Sequence, residues 1–496
     1  MRNGRRTISV LLVAAMTAGL AACGTTEVAE NVTESETPEN TDYNFTVSYD
    51  GIQTGDVSSG VAVHDPSIYE EDGTYYIFGS HMSAAKSEDL LHWESIADGY
   101  NKTNPVYGQI YGVADEAFAY AGSKNSLIQT DDKKTHVWAP DVIYNKKTGL
   151  YYMYYCTTST WNASNLCYAV SDKPEGPFEP KDCVLKTDES MPVNGIDANI
   201  IRDVKTGEMY MVYGSFWGGI HILKLNEQTG LAAEDGIGTC ICCRPAWLSG
   251  AVEGPYIIYN EETEYYYLFV SYGSLKTDYQ IRVGRSKKVT GPYVDYNGRE
   301  MTDTEDPHNE VGYMAYCGYQ WSHGVGYMAP GHNSVLHDKD GNWYLVNHIR
   351  QKEYIGDWLE PSTMQIRKMY WSESGWPVVA PEPYAGEIVQ DIPLEKVLGK
   401  YERITLTKTL PQGIQTGVPM KLDRGCYGDY YECCSIQGTW KYEGHKLTIS
   451  YGPHTEEAFV TAVWDAERNC QTIGICGISE DGVPFWAKRI SDLKQG

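Results

Sequence analysis

The sequence predicts an all-β protein, a five-bladed β-propeller followed by a small C-terminal β-barrel. Five related hairpin motifs stand roughly 55 to 80 residues apart in the 496-residue chain, which is the spacing of four-stranded propeller blades with long loops. Helical periodicity is nearly absent between the motifs. From about residue 398 the motif gives way to short strands separated by turns, which predicts the separate barrel.

The first motif, residues 65–80, defines the repeat. Two apolar runs, Ser67 to Tyr69 and Thr74 to Gly79, flank an acidic turn that ends in Gly73, a pattern typical of a β-hairpin. Comparable hairpins occupy residues 139–155, 197–213, 253–269 and 332–346. Each hairpin is expected to supply the first two strands of one blade.

One position at the start of each motif predicts a functional site. Counting back three residues from the first apolar strand residue reaches Asp65, Ala139, Asp197, Glu253 and His332. If the first strand of every hairpin is the innermost strand of its blade, these strands run parallel around one channel and begin at one mouth. The sequence therefore predicts a cluster of ionisable side chains there, although acids before a strand are also common turn residues.

The N-terminus has the features of a bacterial lipoprotein signal. Arg2, Arg5 and Arg6 precede an apolar run, and small residues stand directly before Cys23. We expect cleavage before Cys23, lipid attachment to its thiol and an extracellular protein that touches the membrane only through this anchor. A plain signal peptide with an incidental cysteine is the alternative.

Composition divides the rest of the chain. We predict four segments: a lipoprotein signal peptide (1–22), an acidic flexible tether (23–45), the propeller (46–395) and the barrel (396–496). The net charge of −26 argues against a polyanionic partner such as nucleic acid. We expect a monomer. The chain has 13 cysteines, whose placement shows no regular disulfide framework, so their pairing stays open.

Three carboxyl groups at one mouth are suited to cleaving a glycosidic bond. One carboxylic acid protonates the leaving oxygen, and one carboxylate on the opposite side acts on the sugar or on a water molecule. A third carboxylate beside the acid raises the pKa of that acid by like-charge repulsion. Spacing alone does not assign these roles. A non-catalytic propeller lipoprotein, whose acids accept hydrogen bonds from a bound glycan, is the alternative from another class.

Six short motifs in order resemble the signature of glycoside hydrolase family 43, most closely its two-domain extracellular endo-α-1,5-L-arabinanases. The motifs occupy residues 64–68, 138–142, 194–199, 213–219, 251–256 and 330–335. The resemblance spans about Val61 to Ala380. The chain after residue 396 resembles, more loosely, the C-terminal domain of the two-domain arabinanases, for which we favour a structural role over polysaccharide binding.

The resemblance implies an inverting hydrolase that cleaves internal α-1,5-L-arabinofuranosidic linkages of arabinan or arabino-oligosaccharides. In that family pattern Asp65 is the general base, Glu253 is the general acid, and Asp197 tunes the pKa of the acid and orients it. The resemblance also implies substrate contacts at Asp65, Trp138, Asn162, Asn194, Gly195, Ile196, Asp197, Ser215, Phe216 and Trp217. An exo-acting α-L-arabinofuranosidase or β-xylosidase on the same fold is the alternative.

The resemblance further implies a calcium ion in the propeller channel, faced by His332 and coordinated mostly by water. Residue chemistry alone does not predict this ion, because calcium prefers oxygen ligands and a lone histidine is more often a hydrogen-bonding group. We expect His64 to be a packing or hydrogen-bonding neighbour of Asp65. Residues 301–327 are long enough to form a loop over the cleft.

Overall fold

The protein is described by a computed structural model that covers residues 61–99, 103–107, 136–160, 163–308, 310–352, 362–409, 413–425 and 428–491. The predicted signal peptide, the tether, Cys23 and Asn162 lie outside the described residues. Within those residues, no helix has both the length and the apolar character that a bilayer span requires.

The structure is almost entirely β, which confirms the predicted propeller and barrel. The first blade contains β1 (Ser67–Glu71), β2 (Thr74–Gly79), β3 (Ser83–Ser87) and β4 (Glu94–Ala97). The second contains β5 (His136–Asn145), β6 (Leu150–Thr160), β7 (Ala163–Ser171) and β8 (Glu179–Thr187). The third contains β9 (Asn199–Arg202), β10 (Met209–Tyr213), β11 (Ile220–Leu225) and β12 (Thr239–Cys242).

The fourth and fifth blades follow the same antiparallel order. The fourth contains β13 (Val252–Asn260), β14 (Tyr265–Tyr272), β15 (Gln280–Ser286) and β16 (Tyr313–Tyr316). The fifth sheet contains β17 (Tyr319–Gln320), β18 (Tyr327–His337), β19 (Trp343–Gln351), β20 (Thr363–Trp371) and β21 (Pro377–Val379). Single helical turns occupy Ser80–Met82 and Ala246–Leu248, and the short helix α1 spans Leu394–Val397.

The C-terminal domain is a closed eight-stranded barrel. Its elements are β22 (Gly399–Thr405), β23 (Gln415–Thr416), β24 (Val418–Gly425), β25 (Gly428–Cys433), β26 (Ile436–Glu443), β27 (Lys446–Tyr451), β28 (His454–Asp465), β29 (Cys470–Ser479) and β30 (Pro484–Ser491). All of these except β23 form the barrel wall, and β23 pairs instead with β17 at the edge of the fifth sheet.

The barrel packs directly on the fifth blade through a shared apolar core. Trp486 of β30 is buried in that core and donates its indole N–H to the carbonyl of Val379, at 2.7 Å. The Tyr370 hydroxyl of β20 donates to Thr461 Oγ1 of β28, at 2.9 Å. Because apolar burial and satisfied polar groups act together at this junction, the barrel stabilises the blade that closes the propeller.

The first strand of each hairpin is the innermost strand of its blade. The five first strands β1, β5, β9, β13 and β18 touch one another in a closed ring, in the order of the blades. Buried polar side chains connect neighbours in this ring. Asp141 of β5 accepts a hydrogen bond from the Ile200 amide of β9, at 2.7 Å, and Asn199 accepts one from Ile257 of β13, at 2.9 Å. These bonds fix the strand starts at one mouth.

Residues 301–327 are not one continuous loop over the cleft, because two stretches of the segment form strands. Tyr313–Tyr316 is the outermost strand of the fourth blade, and Tyr319–Gln320 pairs with both β18 and β23. Strands of four and two residues are too short to show an alternating pattern in the sequence. The expectation was therefore wrong for this part of the segment.

Candidate active site

The mouth of the channel brings together Asp65, Asp197, Glu253 and His332. The Nδ1 atom of His332 lies 3.2 Å from Oδ1 of Asp65, and both residues line a narrow channel with Asp197. The amide of Gly254, directly after Glu253, donates to Oδ2 of Asp197 at 3.3 Å. Three acids from three separate blades therefore surround one histidine from the fifth blade.

A left-handed backbone conformation turns these side chains into the mouth. Asp65, Ala139, Asp197 and His332 have φ angles of 53°, 43°, 60° and 44°. Non-glycine residues in this region cost about 1 to 3 kcal/mol each and persist mainly where function or surrounding structure requires them. The four residues occur one per blade at the same place, so the strain is a repeated feature of the mouth.

In the fourth blade the residue at this place is Gly254, with φ of 56°, and not Glu253. Glu253 pairs with Ser271 and Tyr256 pairs with Phe269, so the two residues between them form a β-bulge. The expected equivalence of Glu253 and Asp65 was thus wrong by one residue. Tyr256 occupies a position that is polar in the other blades. Because Tyr256, with its aromatic ring, counts as the first apolar residue of the strand, counting back three residues reaches Glu253 and not Gly254.

Asp65 is surrounded by imidazole rings. Its Oδ1 atom lies 3.3 Å from Nε2 of His64 and 3.2 Å from Nδ1 of both His332 and His348. Its Oδ2 atom accepts a hydrogen bond from the Ser80 hydroxyl. Burial alone would raise the pKa of Asp65, but the neighbouring histidines, His332 first, hold that pKa well below its usual value. Asp65 is therefore an ionised carboxylate, and His64 is its contact neighbour as expected.

Glu253 has the opposite character. Its carboxyl group is buried and accepts hydrogen bonds from the Ser215 hydroxyl at 2.8 Å and the Tyr279 hydroxyl at 2.9 Å. Burial raises the pKa of Glu253 and the charge of Asp65 adds to the rise, although the two hydroxyls and His332 oppose it. The pKa of this carboxyl group is therefore displaced in the direction that a general acid needs.

Asp197 resembles Glu253, and not Asp65, in the direction of its pKa shift. Burial raises its pKa to about 7, with further contributions from the charges of Glu253 and Asp65 and an opposing one from His332. Because repulsion between two carboxylates acts on both, the charge of Asp197 favours the protonated form of Glu253 in return. The mouth thus holds one low-pKa and two raised-pKa carboxyl groups, the division that acid and base catalysis needs.

The remaining predicted contact residues fall into two groups. Trp138 is half-buried and stacks on the ring of His136, with centroids 4.9 Å apart, while Trp217 is 42% exposed. Ser215 is buried against Glu253, and Phe216 is half-buried with a φ of 56°. These four residues lie at or near the mouth.

The predicted contact residues Asn194, Gly195 and Ile196 are buried. The Asn194 side chain accepts a hydrogen bond from the Ser164 hydroxyl at 2.9 Å, and Ile196 packs in an apolar core between the second and third blades. The amide of Gly195 donates to the Thr187 hydroxyl at 3.0 Å. In this structure these three residues hold their loop in place and do not present exposed side chains.

Three further residues of the site were missed from the sequence. Ser80, Tyr279 and His348 contact Asp65 or Glu253 with their side chains. Ser80 directly follows β2, Tyr279 directly precedes β15, and His348 lies near the end of β19. All three lie at mouth ends of second or third strands. A polar residue at such an end is the signal that would have found them.

The possible metal ligands around Asp65 suit a cation that keeps most of its water better than a cation enclosed by protein oxygen atoms. One oxygen or nitrogen atom each from His64, Asp65 and His348 lie within 4.8 Å of one another. Calcium prefers six to eight oxygen ligands, and this set offers mainly imidazole nitrogens, so water would have to supply most of its ligands. Nε2 of His348 and both amide atoms of Asn333 are buried without a hydrogen-bond partner, which is consistent with water between these residues and an ion.

Comparisons with known proteins find matches to both domains of this chain. The profile of glycosyl hydrolases family 43 matches residues 57–377, and that of a C-terminal lipocalin-like domain matches residues 381–487. The extracellular endo-alpha-(1->5)-L-arabinanase 2 of Bacillus subtilis is 32% identical, over 85% of this chain and 92% of the relative. The crystal structure of an endo-1,5-alpha-L-arabinanase from Thermotoga petrophila RKU-1 has a TM-score of 0.76 and 30% identity, over 88% of this chain and 100% of that one.

A relative with a different stated activity also matches. The extracellular exo-alpha-(1->5)-L-arabinofuranosidase ArbA of Cellvibrio japonicus is 29% identical, over 64% of this chain and 86% of the relative. The family profile covers well over half of the chain and includes every blade of the propeller. This chain therefore belongs to glycosyl hydrolase family 43 and is a glycoside hydrolase.

Proposed function

We propose that this protein is an extracellular endo-1,5-α-L-arabinanase that cleaves internal linkages of arabinan with inversion of configuration. The observation that carries the proposal is the opposed electrostatics of two acids at one mouth. The pKa of Asp65 is held well below its usual value, and that of Glu253 is raised. The two-domain relatives with this stated activity share the propeller and the barrel.

Each acid takes the role that its surroundings favour. Asp65, ionised among its histidines, accepts a proton from the attacking water. Glu253, whose burial raises its pKa, donates a proton to the leaving glycosidic oxygen. Asp197 keeps Glu253 protonated by repulsion and holds the start of β13 through the amide of Gly254. After each turnover Asp65 releases its proton to solvent and Glu253 takes one up from solvent.

A calcium ion forms part of the proposal. His332 would face it, with water supplying most of the ligands, and the ion would contribute positive charge beside the carboxylates. Burial lowers the pKa of His332, but the charges of the three acids outweigh it and raise that pKa, so a proton on its ring is the other means of balancing their charge. Removal of calcium with a chelator, followed by its return, distinguishes these two states by loss and recovery of activity.

Exo-acting cleavage is the second candidate, because one relative is an exo-arabinofuranosidase. Incubation with linear, debranched arabinan separates the possibilities. An endo enzyme releases a range of oligomers with a rapid fall in viscosity, whereas an exo enzyme releases one small product from the start. A glycan-binding protein without activity would release no reducing ends at all. Release of α-arabinose from the α-linkage, seen by NMR of the first product, would contradict inversion.

We also propose that Cys23 anchors the protein to the outer surface of the cell. The lipoprotein signal in the sequence and the extracellular relatives support this location. Metabolic labelling with a radioactive fatty acid should mark the protein, and Cys23→Ala should remove the label. Equal labelling of the variant would contradict the anchor.

A further inference from the structure

A second recess opens beside the candidate active site. It has a volume of about 710 Å³ and includes Trp217, Arg244, Trp247, Glu305 and Asp306 in its lining. We call it the Trp217–Trp247 recess. Trp217 is 42% exposed and Trp247 is 64% exposed, which makes them the two most exposed tryptophans among the described residues.

The topology places this recess on the same face as the mouth. The innermost strand of each blade begins at the mouth, so in an antiparallel blade the second and fourth strands end there. Trp217 lies in the connection after the second strand, β10. Trp247 lies in the connection after the fourth strand, β12. Both connections therefore cover the catalytic face between the third and fourth blades.

Contacts join the recess to Glu253. The Ser215 hydroxyl donates to the Glu253 carboxyl group, and the amide of Phe216, the next residue, donates to the carbonyl of Val252 at 2.8 Å. Gly250 packs on the backbone of Trp217 so closely that a Cβ atom there would lie 2.7 Å from the Trp217 carbonyl oxygen. The segment with Trp217 is thus held between Glu253 and the connection with Trp247.

The lining chemistry suits a neutral sugar chain. Tryptophan rings stack on the apolar faces of sugars, and the exposed Glu305 carboxylate is an acceptor for hydroxyl groups. Asp306 and Arg244 belong to the supporting frame. Asp306 is buried with Arg299 at 3.2 Å, and Arg244 donates to the carbonyl of Ala251 at 2.8 Å. Carboxylates at the edge of the recess disfavour an anionic ligand.

We propose that the Trp217–Trp247 recess binds arabinofuranose units on the leaving-group side of the cleaved bond, with Trp247 as a specificity-determining residue for long substrates. This inference rests on the proposed function. We assign the recess to the leaving-group side of the cleaved bond because Glu253 protonates the leaving oxygen. The recess adjoins the chain segments that hold Glu253. The Asp65 carboxylate is held by a different set of residues from the first and fifth blades.

The test compares kcat/KM for linear arabinohexaose and arabinotriose in the full-length protein. Trp247→Ala should lower the ratio of kcat/KM for arabinohexaose to kcat/KM for arabinotriose about tenfold. This is the scale expected for loss of one ring that stacks on a sugar. Trp247→Phe keeps a ring and should recover most of the ratio. Tyr144→Ala is the matched control, because Tyr144 is an exposed aromatic residue near the opposite end of β5 and should leave the ratio unchanged.

The cleavage pattern of arabinohexaose labelled at its reducing end tests whether the recess binds the leaving-group side of the substrate. Loss of a leaving-group contact should move cleavage toward the labelled end and shorten the labelled products. A shift in the other direction, or an unchanged ratio in an active and folded Trp247→Ala protein, would overturn this inference alone. If the unaltered protein releases no reducing ends from arabinan, the proposed function and this inference both fail.

Discussion

The hydroxyl groups that bind Glu253 give a prediction with a defined sign. Ser215 and Tyr279 each donate one hydrogen bond to the Glu253 carboxyl group, at 2.8 Å and 2.9 Å, and both bonds favour the ionised form. Ser215→Ala or Tyr279→Phe should therefore raise the pKa of Glu253. Activity needs the protonated acid, so the alkaline limb of kcat/KM should move to higher pH.

The expected size of the pKa shift follows from the strength of a hydrogen bond to a charged group. A hydrogen bond to a charged group contributes about 1.5 to 3 kcal/mol, and one pKa unit corresponds to about 1.4 kcal/mol. The protonated acid keeps part of each interaction, so we expect a rise of about one unit for each variant. The assay is the pH dependence of kcat/KM on linear arabinan at a fixed calcium concentration. Tyr213→Phe removes a buried hydroxyl that binds Ile237 in the third blade and serves as the control. An unchanged or lower alkaline pKa would refute the reasoning.

Three further predictions concern charge. Asp197→Asn removes the repulsion that favours the protonated acid, so the alkaline limb should move to lower pH; a rise would contradict the role given to Asp197. Asp65→Asn should abolish turnover in a protein that still folds, and retained activity would exclude Asp65 as the base. In the barrel, Arg403→Met leaves buried Glu456 without its partner at 2.7 Å and should lower the free energy of unfolding by about 3 to 5 kcal/mol. The half-buried surface pair of Lys421 and Asp423 should contribute below about 1 kcal/mol, so Lys421→Met is the comparison, and equal losses would contradict this account.

The sequence predicted the fold because each blade repeats the same local signals. Alternating apolar residues and glycine-containing turns specify each hairpin, and the spacing specifies a propeller. The convergence of Asp65, Asp197 and Glu253 followed from that repeat. The position of Glu253 was wrong by one residue, because a β-bulge at Gly254 and an aromatic residue at Tyr256 cannot be recognised by counting alone.

The supporting residues of the site could not be predicted in the same way. His348 lies far from Asp65 in sequence and meets it only because the first and fifth blades close the ring. Tyr279 meets Glu253 within the fourth blade, because β15 follows β13 in the same sheet. The direction of a side chain in a loop was equally hidden. Asn194 is polar and lies in a family motif, yet its amide is directed inward to Ser164. Local periodicity carries no information about such long-range contacts.

The most direct test of the central claim separates the two acids by the leaving group. Dinitrophenolate leaves without protonation, so hydrolysis of a dinitrophenyl arabino-oligosaccharide requires the base but not the acid. Glu253→Gln should lose activity on arabinan and keep most of its activity on the dinitrophenyl substrate, whereas Asp65→Asn should lose both. Equal loss of both activities in Glu253→Gln would contradict the assignment of Glu253 as the general acid.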